Sequence, residues 1–266
     1  SKVESMNHMF CDNFSLRSLD LSNWDVSNVQ SMDSTFSGST FNQPIGKWNV
    51  TNVTDMNSMF FKNIYFNQPI DTWNVSHVTN MSNLFCEAAS FNQPLSSWDV
   101  SNVDSMHEMF HGAVAFDQPI ENWNVSNVTN MGYMFCDATS FNQPIGNWKV
   151  SKVTDTVHMF ENAKAFNQPL KWDVSNVENL ANMFSNASSF NQDLSHWSLK
   201  EWITNGQSGT KILVDNILNG TNISEENYCK TQSAWIKECT EAQPKFKDYC
   251  EKIDIAEDKE YTCSSE

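Results

Sequence analysis

FNQPIGNWKVSKVTDTVHMF, residues 141–160, is one copy of a line that returns along most of the chain. Its Trp148 belongs to a series at 24, 48, 73, 98, 123, 148, 172 and 197, with steps of 24 or 25 residues. Phe-Asn-Gln begins at 41, 66, 91, 141, 166 and 190, and Phe-Asp-Gln at 116. A fixed period of about 20–50 residues is the mark of an array of stacked units, and it outranks any local reading. Each unit reads Phe-Asn-Gln-Pro-(Ile/Leu)-x-x-Trp-(Asn/Asp)-Val-Ser-x-Val-x-x-Met-x-x-Met-Phe, followed by a few small or polar residues.

Two periodicities alternate inside a unit. Trp148 and Val150 make a period-two step, matching the Leu-x-x-Leu-x-Leu part of the leucine-rich template. Val128, Met131, Met134, Phe135 and Ala138 follow with helical or 3₁₀ spacing, and Ser126 is placed to cap that run. The expectation is a short strand at Trp-x-Val, a helical turn, and a Phe-Asn-Gln-Pro return loop. A single unit cannot bury its own apolar face; its neighbours must do so. The Trp series is therefore expected to form a core column. The Asn-Gln pairs are expected to bond one another along the stack, as amide ladders do.

The line FDQPIENWNVSNVTNMGYMF (116–135) resembles the BspA-like leucine-rich-repeat family of bacterial and protist surface proteins. The resemblance covers roughly residues 3–199, about eight units. It implies an α/β solenoid, a leucine-rich-repeat-like right-handed coil stack with short parallel strands and helical or 3₁₀ turns. It also implies export to the cell surface, and adhesion or host-protein binding. It implies no catalytic residues. Two departures stand out: Arg17-Ser18-Leu19-Asp20 replaces the first Phe-Asn-Gln-Pro, and the sequence from about Lys200 is unlike the repeat.

Residues 1–199 are thus expected to be the solenoid, with an N-terminal half-coil at 1–16, and 200–266 a C-terminal cap. In the half-coil, Val3, Met6, Met9 and Phe10 copy the second half of a unit. Either this is a truncated capping coil, or further repeats precede it; its apolar character favours the second. Leu194, Trp197, Leu199 and Trp202 imitate the repeat, and 202–218 is expected to close the last coil.

Sixteen Lys and Arg face 32 Asp and Glu, a formal net charge of −16. That balance excludes nucleic acid as a partner, since phosphate contacts need a basic patch, and disfavours anionic membranes. No apolar run is long enough to insert in a bilayer. No nucleophile elbow, phosphate loop or dinucleotide fingerprint occurs, so no enzyme activity, catalytic residue or cofactor is expected. The histidines at 8, 77, 107, 111, 158 and 196 fall at scattered phases; His107 and His111 are spaced i, i+4 but without a His-Glu-x-x-His motif, and Asp25, Asp99 and Asp173 lie three coils apart. No metal ligand is assigned.

Residues flanking the strand should point outward and form the candidate binding face: Asn49, Asn74, His77, Asp99, Asn124, Lys149, Lys152 and Asp173. The plain alternative is a solvated polar face. Few aromatics are available there as hot spots. The expected partner is an extracellular protein or glycan, or another copy of the chain in a filament, sheath or coat. Asn-x-Ser/Thr sequons, possible glycosylation sites, stand at Asn13, Asn49, Asn52, Asn74, Asn80, Asn124, Asn127, Asn186, Asn219 and Asn222. Glycans at Asn49, Asn74 and Asn124 would crowd the face.

Cys11, Cys86 and Cys136 share one place in the unit, too far apart to pair, and are expected to be free buried thiols. Cys229, Cys239, Cys250 and Cys263 crowd a short tail without Cys-x-x-Cys spacing and read as two disulfides, with three pairings open. A helical hairpin of 225–240 and 244–255 would bring Cys229–Cys250 or Cys239–Cys250 into consideration. Disulfides point to an oxidising compartment, hence a secreted or cell-surface protein.

Overall fold

The repeat spacing becomes three-dimensional through one parallel bridge per unit. Ser5, Ser31, Asp55, Asn80, Ser105, Asn130, Asp155 and Asn179 are each bridged to the next in that order. The computed structural model describes residues 2–198, 214, 216–242, 255–261 and 263.

The bridge does not fall at Trp-x-Val, where the sequence puts the strand; it lies seven residues after each Trp. The reason is local. Trp148 N–H donates to Ile145 O and Val153 N–H to Val150 O, so these amides close tight turns within their own unit. The amides free to cross between units come later. Those of Met131, Tyr133, Phe135 and Asp137 donate to the carbonyls of Asp155, Val157, Met159 and Glu161. Those of Met134, Cys136 and Ala138 turn back to Met131, Tyr133 and Phe135.

This alternation also replaces the helix expected over 128–138. Tyr133 and Asp137 adopt φ of 58° and 57°, in the left-handed region, and the equivalent residues of other units do likewise. Reversing φ at these two places sends alternate amides outward to the neighbour, which an α-helix cannot do. Gly, Asn and Asp tolerate that conformation best, hence Gly38, Asn83, Gly112, Asn162, Asn182 and Asn186 in the same places, while Lys62, Glu87, Glu108 and His158 are held in it by the bonds to the neighbouring unit.

Between units the contacts are aromatic. Phe110, Phe135 and Phe160 stack with centroids 5.6 Å apart, and Phe116, Phe141 and Phe166 form a parallel column at 6.0–6.1 Å. Trp48 to Trp73 and Trp73 to Trp98 stack at 6.5 Å. The indole N–H groups of Trp48, Trp73, Trp98, Trp123, Trp148, Trp172 and Trp197 each find a backbone carbonyl in the preceding unit, as Trp148 Nε1 does at Ile120 O (3.2 Å). Burial of an indole, about 200 Å² of surface, thus leaves no polar atom stranded. Trp24 departs from the expected column and is exposed.

The return loops carry the amide ladder. Asn92 Oδ1 accepts from Asp117 N–H and Gln118 Nε2, and Asp117 Oδ1 accepts from Asn142 N–H and Gln143 Nε2. Only a carbonyl-type oxygen is needed at this place, so Asp117 substitutes for Asn without a break.

The other end is covered. Residues 216–220 repeat the bridging half of a unit: Phe184 and Asn186 donate to Ile217 and Asn219, and Asn216 and Gly220 have φ of 57° and 69°. Helix α1 (Glu225–Ala242) then lies on the last coil. Trp235 Nε1 donates to Trp197 O, and Thr231 Oγ1 accepts from Leu194 N–H. Ser224 N–H and Asn227 Nδ2 bond Asn191 Oδ1, so the start of α1 imitates one more Asn-Gln rung. The Cys229–Cys263 disulfide ties α1 to the segment after it. One apolar core cluster runs from Met6 to Ala256. Cys250, Leu199, Trp202 and 244–254 lie outside the described residues, so the second expected helix and most of 202–218 go undescribed. Among the described residues no helix is long and apolar enough to cross a membrane.

Candidate functional site

Two arrangements of polar side chains stand out on this frame: the regular face beside the Trp column and a mixed cluster of thiols, histidine and carboxylates.

Asn49, Asn74, His77, Asp99, Asn124, Lys149, Lys152 and Asp173 are all exposed. They fall in two rows. In the first, Asn49, Asn74, Asp99, Asn124 and Asp173 each turn an oxygen back to the amide two residues on, at 3.1–3.3 Å. These Asx turns shape the bend after the indole. The Ser101 hydroxyl and its amide hold the Asp99 carboxyl below its ordinary value. Lys149 is the cationic member of this row.

The second row runs between units. Asn52, Asn102, Asn127 and Asn176 donate their side-chain amides to Ser27, Ser76, Ser101 and Ser151 carbonyls, all at 2.7 Å. His77 Nδ1 meets Thr51 O at 2.8 Å, and Lys152 Nζ donates to Asn127 Oδ1 at 2.7 Å. The face is therefore a lattice of already-used side chains. What it offers a ligand is spare carboxylate and amide oxygens, Ser and Thr hydroxyls, and two cations, Lys149 and Lys152, in one unit.

The sequons are spread unevenly across the structure. Asn13, Asn49, Asn52, Asn74, Asn124, Asn127, Asn186 and Asn222 are exposed, whereas Asn80 and Asn219 are half-buried. Asn80 carries a bridge, and Asn52 and Asn127 spend their amides on the neighbouring unit. A glycan on Asn52 or Asn127 would use the nitrogen that makes this bond.

The cysteines separate as follows. Cys11, Cys86 and Cys136 are free; Cys86 and Cys136 are buried, while Cys11 is half-buried because no unit covers its outer side among the described residues. Cys239 is disulfide-bonded, and Cys229 pairs with Cys263 at a Cα separation of 5.3 Å, one of the three pairings left open by the sequence.

Residue type alone hides the second arrangement. His111 occupies the place directly after Met-Phe that Cys86 and Cys136 occupy in the units on either side. Cys86 Sγ lies 3.6 Å from Glu108 Oε2, His111 Nδ1 3.8 Å from the same oxygen, and His111 Nε2 3.7 Å from Asp137 Oδ2. Cys136 Sγ is 3.5 Å from Asp137 Oδ2. Burial, then the nearby carboxylates, push both thiols well above their ordinary range. The signal was available: aligning the units in register, instead of grouping histidines with histidines, puts Cys, His and Cys in one column.

A family model described as "Mycoplasma protein of unknown function, DUF285" matches residues 4–118, 60–171 and 93–197. The overlapping frames follow from the repeat. No curated protein matches the chain.

Proposed function

The chain belongs to the DUF285 family, and we propose that it is a non-enzymatic extracellular repeat scaffold whose polar face mediates adhesion or recognition of proteins or glycans. In this reading it is a leucine-rich-repeat-like solenoid of BspA-like character, secreted or displayed at a cell surface. One observation carries the reading: the rows beside the Trp column repeat the same Asx and Ser/Thr groups unit after unit, and depart from the pattern at His77, Lys149 and Lys152. A constant lattice with a few variable members suits recognition of an extended polar ligand, such as a glycan chain. The Cys229–Cys263 disulfide agrees with an oxidising compartment.

The test is a glycan array probed with the purified protein, with biolayer interferometry on immobilised surface glycoproteins. Binding that falls at least tenfold in Lys149→Ala/Lys152→Ala supports the face. Binding indifferent to that pair, or none on either platform, removes it.

A second reading is a structural subunit of a filament, sheath or coat. It is favoured by the apolar surface formed by Val3, Met9 and Trp24, all exposed and lining one hollow. Such a surface suits another unit of the same kind. Light scattering decides: concentration-dependent growth that disappears in Trp24→Glu supports assembly, and a monomer at every concentration opposes it.

A further inference from the structure

We propose that Cys86, Glu108 and His111 form a binding site for a divalent transition metal of the Zn2+ class, independent of the adhesive face. Their ligand atoms lie within 4.8 Å of one another, and they come from two neighbouring units. Around a tetrahedral zinc ion, bonds of about 2.0–2.3 Å hold ligand atoms about 3.3–3.7 Å apart. The Cys86 Sγ to Glu108 Oε2 distance of 3.6 Å and the Glu108 Oε2 to His111 Nδ1 distance of 3.8 Å are already near that size.

A second triad, His111, Cys136 and Asp137, shares the imidazole. The two nitrogens of His111 choose between them. Nδ1 is a buried polar atom with no hydrogen-bond partner, and it is the one that faces Glu108. Nε2 faces the Asp137 carboxylate. A metal-bound histidine commonly turns its other N–H to a carboxylate, which fixes the ring and strengthens the ligand. Placing the metal on Nδ1 gives both nitrogens their work. It makes Asp137 a positioning residue and leaves Cys136 outside the coordination.

The chemistry selects the ion. A thiolate and an imidazole favour Zn2+, Co2+ or Cu+ over Mg2+ and Ca2+, which prefer all-oxygen sets. On binding, the Cys86 thiol gives its proton to solvent and the sulfur bonds the metal. No oxidation state changes. Three protein ligands leave one position for water.

Co2+ added to the purified full chain tests this, because thiolate ligation gives a charge-transfer band in the near ultraviolet. The expected result is one equivalent of Co2+, displaced by Zn2+, with the band absent in Cys86→Ser and in His111→Asn. Cys136→Ser keeps the band, and Asp137→Asn weakens binding about 10–100-fold. Near-ultraviolet circular dichroism of each variant separates loss of ligation from loss of fold. The proposal is overturned if Co2+ gives no thiolate band with the folded wild-type chain. It is also overturned if Cys86→Ser and His111→Asn bind as the wild type does, or if Cys136→Ser abolishes the band while Cys86→Ser spares it.

Discussion

Trp24 and Trp197 hold the same place in the first and last Trp-bearing units, yet the first is 43% exposed and the second 1%. The residues around them are alike in type; the difference is what lies on the outer side. Trp197 is covered by α1, whose Trp235 bonds its carbonyl, while Trp24 borders a shallow apolar hollow lined by Val3, Met6, Met9 and Val29. Burial of an indole is thus a property of the stack, supplied by a neighbour, and the tail supplies one by imitation.

Removing that neighbour should make the two ends alike, and gives the largest effect. Trp235→Ala is expected to destabilise the protein by about 3–5 kcal/mol, the range for deleting a fully buried aromatic. Trp24→Ala should cost about 1 kcal/mol or less, as befits a half-exposed ring. Urea unfolding with tryptophan fluorescence measures both; equal losses would break the comparison. Next, Cys229→Ser/Cys263→Ser cuts the bridge from the start of α1 to the segment after it, leaving the Cys239 disulfide and Trp235 in place. A loop of this size is worth about 2–4 kcal/mol. Hydrogen exchange should rise in α1 and at the amides of Leu194 and Trp197, and stay unchanged at residues 50–130.

Smaller effects sharpen the contrast. Asn191→Ala removes the acceptor for Ser224 N–H and one of the two acceptors of Asn227 Nδ2, the Asn191 carbonyl remaining, and should cost about 1–2 kcal/mol, with exchange rising at the start of α1. Asp117→Asn in the middle keeps the acceptor and should shift stability by less than about 0.5 kcal/mol. The smallest effect is on pH. Cys86 and Cys136 titrate above their ordinary 9.0 in the fold, so it disfavours their thiolates. Their contribution is whole below pH 9.0 and falls as pH rises beyond it, because the unfolded chain then releases the protons more readily. Melting temperature against pH should be flatter above that value in Cys86→Ser/Cys136→Ser.

The sequence made the Phe-Asn-Gln rungs and the buried Trp column legible because both depend only on period. It misplaced the strand because the i to i−3 turns at Trp148 and Val153 consume amides that apolar spacing cannot reveal. It read the run from Val128 to Ala138 as helical because 3-residue spacing also arises when left-handed residues break every turn. Trp24 was hidden for a different reason: its surroundings lie in another unit. The disulfide pairing depended on how the tail folds back, which no spacing encodes. The cluster at Cys86, Glu108 and His111 escaped because its members share a column, and only register displays a column.

The rung at Asn191 has a consequence for how such chains change over generations. Every interior rung ends in an oxygen that accepts either a following repeat or the Ser224 and Asn227 imitation of one. Whole repeats can therefore be duplicated or lost ahead of the tail with all bonding groups still matched. A fractional insertion would strand donors along the entire join. Recombination between repeats is accordingly a tolerated route to longer or shorter versions, and the lid travels unchanged.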